Sequence, residues 1–228
     1  MGADAVKIAG LVGRRIRCYG RNVSSLLRLS RLSRTLLYHL YYFRVTGRRV
    51  HGLHLGSGNL RVDQFWNIDV DPLASCDVIA SVERIKLVSE SVDLIYASHV
   101  LEHIPRCDAK AALCEWYRVL SPGGKLYLCV PDIEALFKIY LQFLPLYDTE
   151  DGQFRVDLAC GVTFGGQTNK YDFHYSGYSM TTLKALLLSV GFSHVQRFDP
   201  RRLEFAPRDA SYAEIRGELV SLNIEATR

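Results

Sequence analysis

Residues 53–72 constrain this chain more than any other stretch. They read Leu-His-Leu-Gly-Ser-Gly-Asn-Leu-Arg-Val-Asp-Gln-Phe-Trp-Asn-Ile-Asp-Val-Asp-Pro. A short apolar run stops at two glycines one residue apart, and a second apolar run ends in acid. Gly56 and Gly58 permit positive φ and let backbone approach a ligand where a Cβ would obstruct it. An acid at the end of the second run, Asp69 or Asp71, can accept hydrogen bonds from both hydroxyls of a ribose. The pattern is that of a nucleotide-type site at the carboxyl ends of two strands. A dinucleotide oxidoreductase needs a third glycine three residues after Gly58, and Arg61 stands there, which argues against that class.

The rest of the body alternates strands and helices. Expected strands are 50–55, 66–70, 77–80, 92–97, 125–130, 194–198 and 219–226, and expected helices 108–120, 133–143 and 181–190. In 108–120, Ala109, Ala112, Leu113, Trp116 and Leu120 form one apolar face, and Ser121-Pro122-Gly123-Gly124 stops the helix. The alternation predicts a mostly parallel, layered α/β sheet. The last two strands, with no helix between them, predict an antiparallel pair. Residues 145–179 show no clean period and are expected to form an irregular lid over a binding site. One conflict stands out: from Leu55 to Trp66 and from Asp71 to Asp77 there is no room for a crossover helix, which parallel neighbours normally need.

Charge divides the chain. Of 28 basic and 24 acidic residues, 11 basic and one acidic (Asp4) fall in 1–49, a segment at +10; the remainder is at −6. A nucleic-acid protein would spread positive charge over the folded body, so no nucleic-acid partner is expected. Within 24–44, Leu29, Leu32, Leu36, Leu40 and Phe43 recur at helical steps opposite Arg28, Arg31 and Arg34. The reading is a basic amphipathic helical extension over 1–49. It either packs on the body, lies on an anionic membrane surface through residues 24–44, or serves as an organellar transit segment. No apolar run reaches membrane-spanning length and no signal peptide is visible. The six cysteines lack metal-site spacing and are expected to be buried, reduced thiols. The location expected is cytoplasmic, with the inner membrane face as a candidate contact.

Four blocks then add up: Leu-Gly-Ser-Gly-Asn (55–59), Ile-Asp-Val-Asp-Pro (68–72), Ser-Val-Asp-Leu-Ile-Tyr-Ala-Ser-His-Val-Leu-Glu-His-Ile (91–104) and Arg-Val-Leu-Ser-Pro-Gly-Gly-Lys-Leu (118–126). In order and spacing the chain resembles class I S-adenosylmethionine-dependent methyltransferases from about Val50 to Asp132. Val-Pro-Asp (130–132), Gly-Gly-Gln (165–167), Tyr-Asp-Phe-His (171–174) and Gly-Phe (191–192) resemble a bacterial subfamily associated with polysaccharide biosynthesis. The resemblance implies a Rossmann-like sheet of seven strands with the last antiparallel, spanning 50–228, and S-adenosylmethionine as cofactor. Gly56, Ser57, Gly58 and Asn59 would line its methionine part and Asp69 or Asp71 its ribose. Ser81 and Val82 would edge the adenine, with Ser98 and His99 closing the site. Two positions depart from the pattern. His54 stands where relatives have an acid, and Ser81 where many have Asp.

Methyl transfer asks mainly for alignment and exclusion of water, and a hydroxyl acceptor also needs a base, usually histidine. His99, His103 and His174 are the candidates. His174 is favoured because it sits in the expected lid, with Asp172 two residues before it on the same face of an extended segment; Asp172 would polarise it, or the two would tie the lid down. His99-x-x-Glu102-His103 also permits a metal reading. The preferred one is that Glu102 and His103 cap a turn and pack beneath the cofactor, with no metal. The function expected is methylation of a hydroxyl of a glycan or other small molecule. The rival is a non-catalytic binding module on the same fold.

Overall fold

The computed structural model describes residues 52–215 and 217–228. The expected extension over 1–49, its helix at 24–44 and the start of the first strand lie outside these residues.

A single sheet organises the body. Its strands are β1 (Gly52–Leu55), β2 (Phe65–Asp69), β3 (Val78–Ile79), β4 (Val92–Ser98), β5 (Leu120–Pro131), β6 (Ser193–Arg197) and β9 (Ser221–Thr227). A separate two-stranded hairpin holds β7 (Glu214–Ile215) and β8 (Glu218–Leu219). The order across the sheet is β3-β2-β1-β4-β5-β9-β6. Pairings are parallel from β3 to β5, and β9 runs antiparallel to both β5 and β6. The predicted class I topology is therefore the observed one. The last strand lies inside the sheet between β5 and β6, and the expected 219–226 strand is divided at Val220.

The missing crossover helices are resolved by strand length. Residues 56–64 join β1 to β2 without a helix. A four-residue strand rises only about 13 Å, whereas nine extended residues reach up to about 30 Å, so a loop can return and shift one strand over. A polar knot holds that loop in place. Asn67 Oδ1 accepts from Val62 N (2.8 Å) and His54 Nδ1 (3.0 Å), and its Nδ2 donates to Val62 O (3.2 Å), Phe65 O (3.1 Å) and Asp77 Oδ2 (2.9 Å).

The two faces of the sheet differ. One is covered by α1 (Arg106–Val119) and α4 (Met180–Val190). Ala109, Ala112, Leu113 and Trp116 of the predicted face, with Leu183 and Leu187, are buried on Leu53, Leu55, Ile95, Leu126 and Leu128. Ser179 caps α4 reciprocally with Thr182, and Gly191 in the left-handed region (φ 117°) ends it. The other face carries Phe65, Tyr96 and Cys129 beneath Phe198, Leu203 and Phe205 of the irregular 198–213 segment. Tyr96 donates to Asp209 there (2.6 Å).

The expectation of an irregular 145–179 is corrected. Glu150–Phe164 is a fifteen-residue helix, α3, packed on α2 (Ile133–Phe143). Its buried positions are only Gly152, Val156 and Ala159, too small and too few to print an apolar stripe. Gly152, Gly161, Val156 and Thr163 also lower its intrinsic helix propensity. The start is nonetheless well marked: Thr149 accepts from Gly152 N (3.1 Å), with Glu150 and Asp151 in the first turn. Leu136, Ile139, Phe143, Val156 and Ala159 form a second small core with Ile215 and Val220. Among the described cysteines, Cys129 is buried as expected, but Cys107 and Cys114 are exposed; all five are free. No helix among the described residues is long and apolar enough to cross a membrane.

Candidate functional site

The carboxyl ends of β1, β2 and β4 meet at one edge. Leaving β1, the chain turns through Gly56 (φ 62°) and Gly58 (φ 51°). A Cβ at Gly56 would overlap Val100 Cγ2, whereas one at Gly58 would have open space. Asp69, 9% exposed, draws the turn onto β2: its Oδ2 accepts from Gly58 N (2.7 Å) and its Oδ1 from Asp71 N (2.8 Å). Asp71 in turn accepts from Leu73 N (2.9 Å). The two acids of the opening motif thus shape the glycine turn and the loop after β2 together.

A cleft of about 320 Å³ opens here, within the lower range of small-molecule sites. Gly58, Asn59, Asp69, Asp71, Leu73 and Ala74 line one side; His103, Asn169, Tyr171 and Asp172 line the other. Four of the predicted cofactor residues and two of the predicted catalytic ones therefore share a cavity. Gly56 and Ser57 precede the lining, and Ser57 Oγ is buried without a hydrogen-bond partner among the described residues. Ser81, Val82, Ser98 and His99 lie outside its lining. Ser81 bonds instead with Glu83, accepting from its amide (3.2 Å) and donating to its Oε2 (3.0 Å), while Val82 O accepts from Trp116 Nε1 (2.9 Å). His54, the first departure from the pattern, is a buried histidine satisfied by Asn67; burial pushes its pKa below the ordinary value, with the Asn67 bond opposing.

The far side is built by docking two distant segments. After β4 the chain passes through His99 (φ 53°) into a single 3₁₀ turn, Leu101–His103. Glu102 O accepts from Tyr175 N (2.8 Å) and Ser176 N (3.2 Å), Ile104 O from Ser176 Oγ (3.2 Å), and Phe173 O from His103 Nδ1 (3.1 Å). These bonds fasten 173–176 along the turn and bring His174 against His103, ring centroids 4.7 Å apart and edge-to-face. The Glu102 side chain is fully buried; Oε1 lies 3.1 Å from His99 Nδ1, an ion-pair contact, yet neither carboxylate oxygen makes a hydrogen bond among the described residues. Burial alone would lower the pKa of His99, but the Glu102 carboxylate and Asp209 outweigh it and raise it. His99 Nε2 also meets Ser221 Oγ (3.1 Å). His174 is half-buried, and burial lowers its pKa, so the ring is held neutral.

The expected pairing of Asp172 with His174 is not made. The Asp172 carboxylate accepts from Gly166 N (3.3 Å), Thr168 N (3.2 Å) and Thr168 Oγ1 (2.8 Å), closing the 165–172 loop on itself. Those bonds hold its pKa below the usual carboxylate range. Asp172 ties down the loop, the alternative role foreseen for it. What sequence reading missed is the partnership of Glu102 with His174, residues seventy-two apart. His99, the partner of His103 in the metal reading that the spacing permits, turns instead toward Glu102 and Ser221.

Residues 37–128 match a family described as methyltransferase domain. No match was found among curated proteins. Among solved structures, an S-adenosylmethionine-dependent methyltransferase from Thermotoga maritima, a possible histamine N-methyltransferase, is 19% identical over 92% of this chain and 97% of its own, with a TM-score of 0.49. A methyltransferase from Archaeoglobus fulgidus is 17% identical over 88% and 96%, TM-score 0.47. A possible exported protein from Bordetella parapertussis is 12% identical over 84% and 67%, TM-score 0.50, a likeness of fold. The sheet order is that of the Rossmann-like methyltransferase fold, and the domain matched over 37–128 is a methyltransferase domain, for which S-adenosylmethionine is the implied cofactor. The residues present fit it: the cleft has room in front of Gly58 and two carboxylates at the β2 end to meet a ribose and a cationic ligand.

Proposed function

We propose that this protein methylates a hydroxyl of a glycan or another small molecule, using the Glu102–His103–His174 cluster to handle the hydroxyl proton. The supporting observation is the cleft itself, which joins the strand-end residues Gly58, Asn59, Asp69 and Asp71 to His103 and to Asn169, Tyr171 and Asp172 of the 165–172 loop. S-adenosylmethionine, when bound, supplies a methyl group already activated on a sulfonium. The residues' share is then positional. Asp69 and Asp71 hold the ribose end, Asn59 and the glycine turn orient the methionine end, and the 145–179 segment covers the acceptor and excludes water. A neutral imidazole within hydrogen-bond reach of the acceptor oxygen can take its proton. His103 faces the cleft, and His174 stands behind it, kept neutral by burial.

The subfamily resemblance and the polar lining of 169–172 support a sugar hydroxyl as acceptor. The test is calorimetry with S-adenosylmethionine, followed by a screen of mono- and disaccharide acceptors with labelled methyl donor. The expected result is cofactor binding in the micromolar range and transfer to a hydroxyl. His174→Ala should spare cofactor binding and lose turnover. Cofactor binding with no transfer to any oxygen acceptor would favour the binding-module reading. Transfer to an amine would overturn the hydroxyl assignment.

A further inference from the structure

We propose that Glu102, His103 and His174 form a binding site for a divalent transition-metal cation at the wall of the cleft. Each residue offers one ligand atom, and the three atoms lie within 4.8 Å of one another. Ligand atoms around a tetrahedral cation at 2.0–2.2 Å stand about 3.4 Å apart. Each side chain therefore has to close by only about 0.7 Å, within the reach of small torsional adjustments.

The state of each group points the same way. The Glu102 side chain is fully buried, and neither oxygen makes a hydrogen bond among the described residues. The one charged contact of this buried carboxylate among the described residues is His99 Nδ1 at 3.1 Å, which leaves oxygen lone pairs for a further ligand-type contact. His103 Nδ1 faces the carbonyl of Phe173, which can only accept. The proton is therefore on Nδ1, and Nε2 is the nitrogen left with a lone pair. Donation of the second ring N–H to a backbone carbonyl is the arrangement that orients a metal-ligating histidine. His174 packs edge-to-face on that ring, and its buried Nδ1 makes no hydrogen bond of good geometry among the described residues. The three residues thus bring one ligand atom each within 4.8 Å of the others while Glu102 and His174 keep ligand-type atoms without a hydrogen bond among the described residues.

Two imidazoles and one carboxylate suit Zn²⁺, Mn²⁺ or Fe²⁺, whereas Mg²⁺ and Ca²⁺ prefer cages of oxygen. Three protein ligands also leave coordination positions free. Because His103 lines the cleft, an open position faces the space assigned above to the acceptor. Resting on that reading for the acceptor's place, the cation, with both imidazoles as its ligands, would bind the acceptor oxygen and lower the pKa of its hydroxyl, so the proton leaves to water in place of an imidazole as the O–C bond forms and the S–C bond breaks.

The test uses the full chain, stripped with chelator and dialysed. Calorimetric titration with ZnCl₂ and MnCl₂ should give one site per chain at micromolar affinity or tighter, with MgCl₂ at least 100-fold weaker. Glu102→Gln and His174→Ala should each weaken binding at least tenfold, with circular dichroism confirming that both fold. Should Glu102→Gln not fold, His174→Gln takes its place. Absence of Zn²⁺ and Mn²⁺ binding up to 1 mM would overturn the proposal, as would binding unaffected by both variants. Full turnover in excess chelator would remove the cation from the reaction while leaving methyl transfer intact. S-adenosylmethionine titration of the stripped protein reports separately on the cofactor reading.

Discussion

Asp69 offers the sharpest perturbation, because it performs two tasks that a single substitution separates from those of its neighbour. Its carboxylate is buried and accepts two backbone amides, Gly58 N at 2.7 Å and Asp71 N at 2.8 Å. A hydrogen bond to a charged acceptor contributes about 1.5–3 kcal/mol. Asp69→Ala loses both, and since water from the cleft can reach the freed Gly58 amide, the lower figure applies: about 3 kcal/mol. Asp69→Asn retains one acceptor and turns a donor toward the other amide, costing about 1.5–2 kcal/mol. For a chain of this length each kcal/mol moves the melting point by roughly 2–4 °C. Asp69→Ala should therefore melt about 6–12 °C lower, read by circular dichroism, and should lose S-adenosylmethionine binding by calorimetry. Asp71→Asn is the comparison. That carboxylate is half-exposed and accepts from Leu73 N alone, so stability should change by less than about 1 kcal/mol while cofactor affinity falls at least tenfold. If Asp69→Asn melts and binds like the parent, the turn is not held by this carboxylate and the reasoning fails.

Three further outcomes follow from single contacts. Gly56→Ala combines a positive φ with overlap on Val100 and should destabilise the fold by about 2–4 kcal/mol; Gly58→Ala, with open space, should cost about 1 kcal/mol and act instead on cofactor affinity. Urea titration and calorimetry separate the two, and equal stability losses would contradict the geometry. Asp172→Ala releases three bonds within the 165–172 loop and should raise KM for the acceptor severalfold while leaving cofactor Kd unchanged; the opposite pattern would place this loop on the cofactor. His54 has a folded pKa below its unfolded value of 6.5 because burial disfavours the charged ring. As pH falls below 6.5 the unfolded chain takes up a proton that the folded chain refuses, so stability drops, by at most about 1.4 kcal/mol per pH unit. His54→Gln should flatten that acid limb in urea titrations between pH 7 and 5; an unchanged slope would assign it to other groups.

Most of the layered sheet was legible in the residues, because its signals are local. The apolar runs of β1, β2, β4 and β5, the spaced alanines and leucines around Trp116, and the glycine turn at 56–58 report burial and backbone conformation within a few positions of themselves. Even the absence of crossover helices could be counted off. What could not be counted was why it is tolerated: the strands are short enough for loops to return, and Asn67 holds the first loop. α3 stayed hidden since only Gly152, Val156 and Ala159 turn inward, leaving Phe154 and Phe164 exposed at 61% and 57%.

The chemistry divides along the same line. By itself the sequence determined that a glycine pair and two acids stand at adjacent strand ends, since strand, turn and strand are contiguous in the chain. Only the tertiary structure decided what faces them. The backbone of 173–176 docks on the 101–104 turn through main-chain hydrogen bonds, which any side chains can make and no residue pattern announces. That docking sets His174 beside Glu102 and His103 and sends Asp172 back into its own loop. A motif lists donors and acceptors in order; a site needs their distances, and those are set by the long-range packing of segments some seventy residues apart.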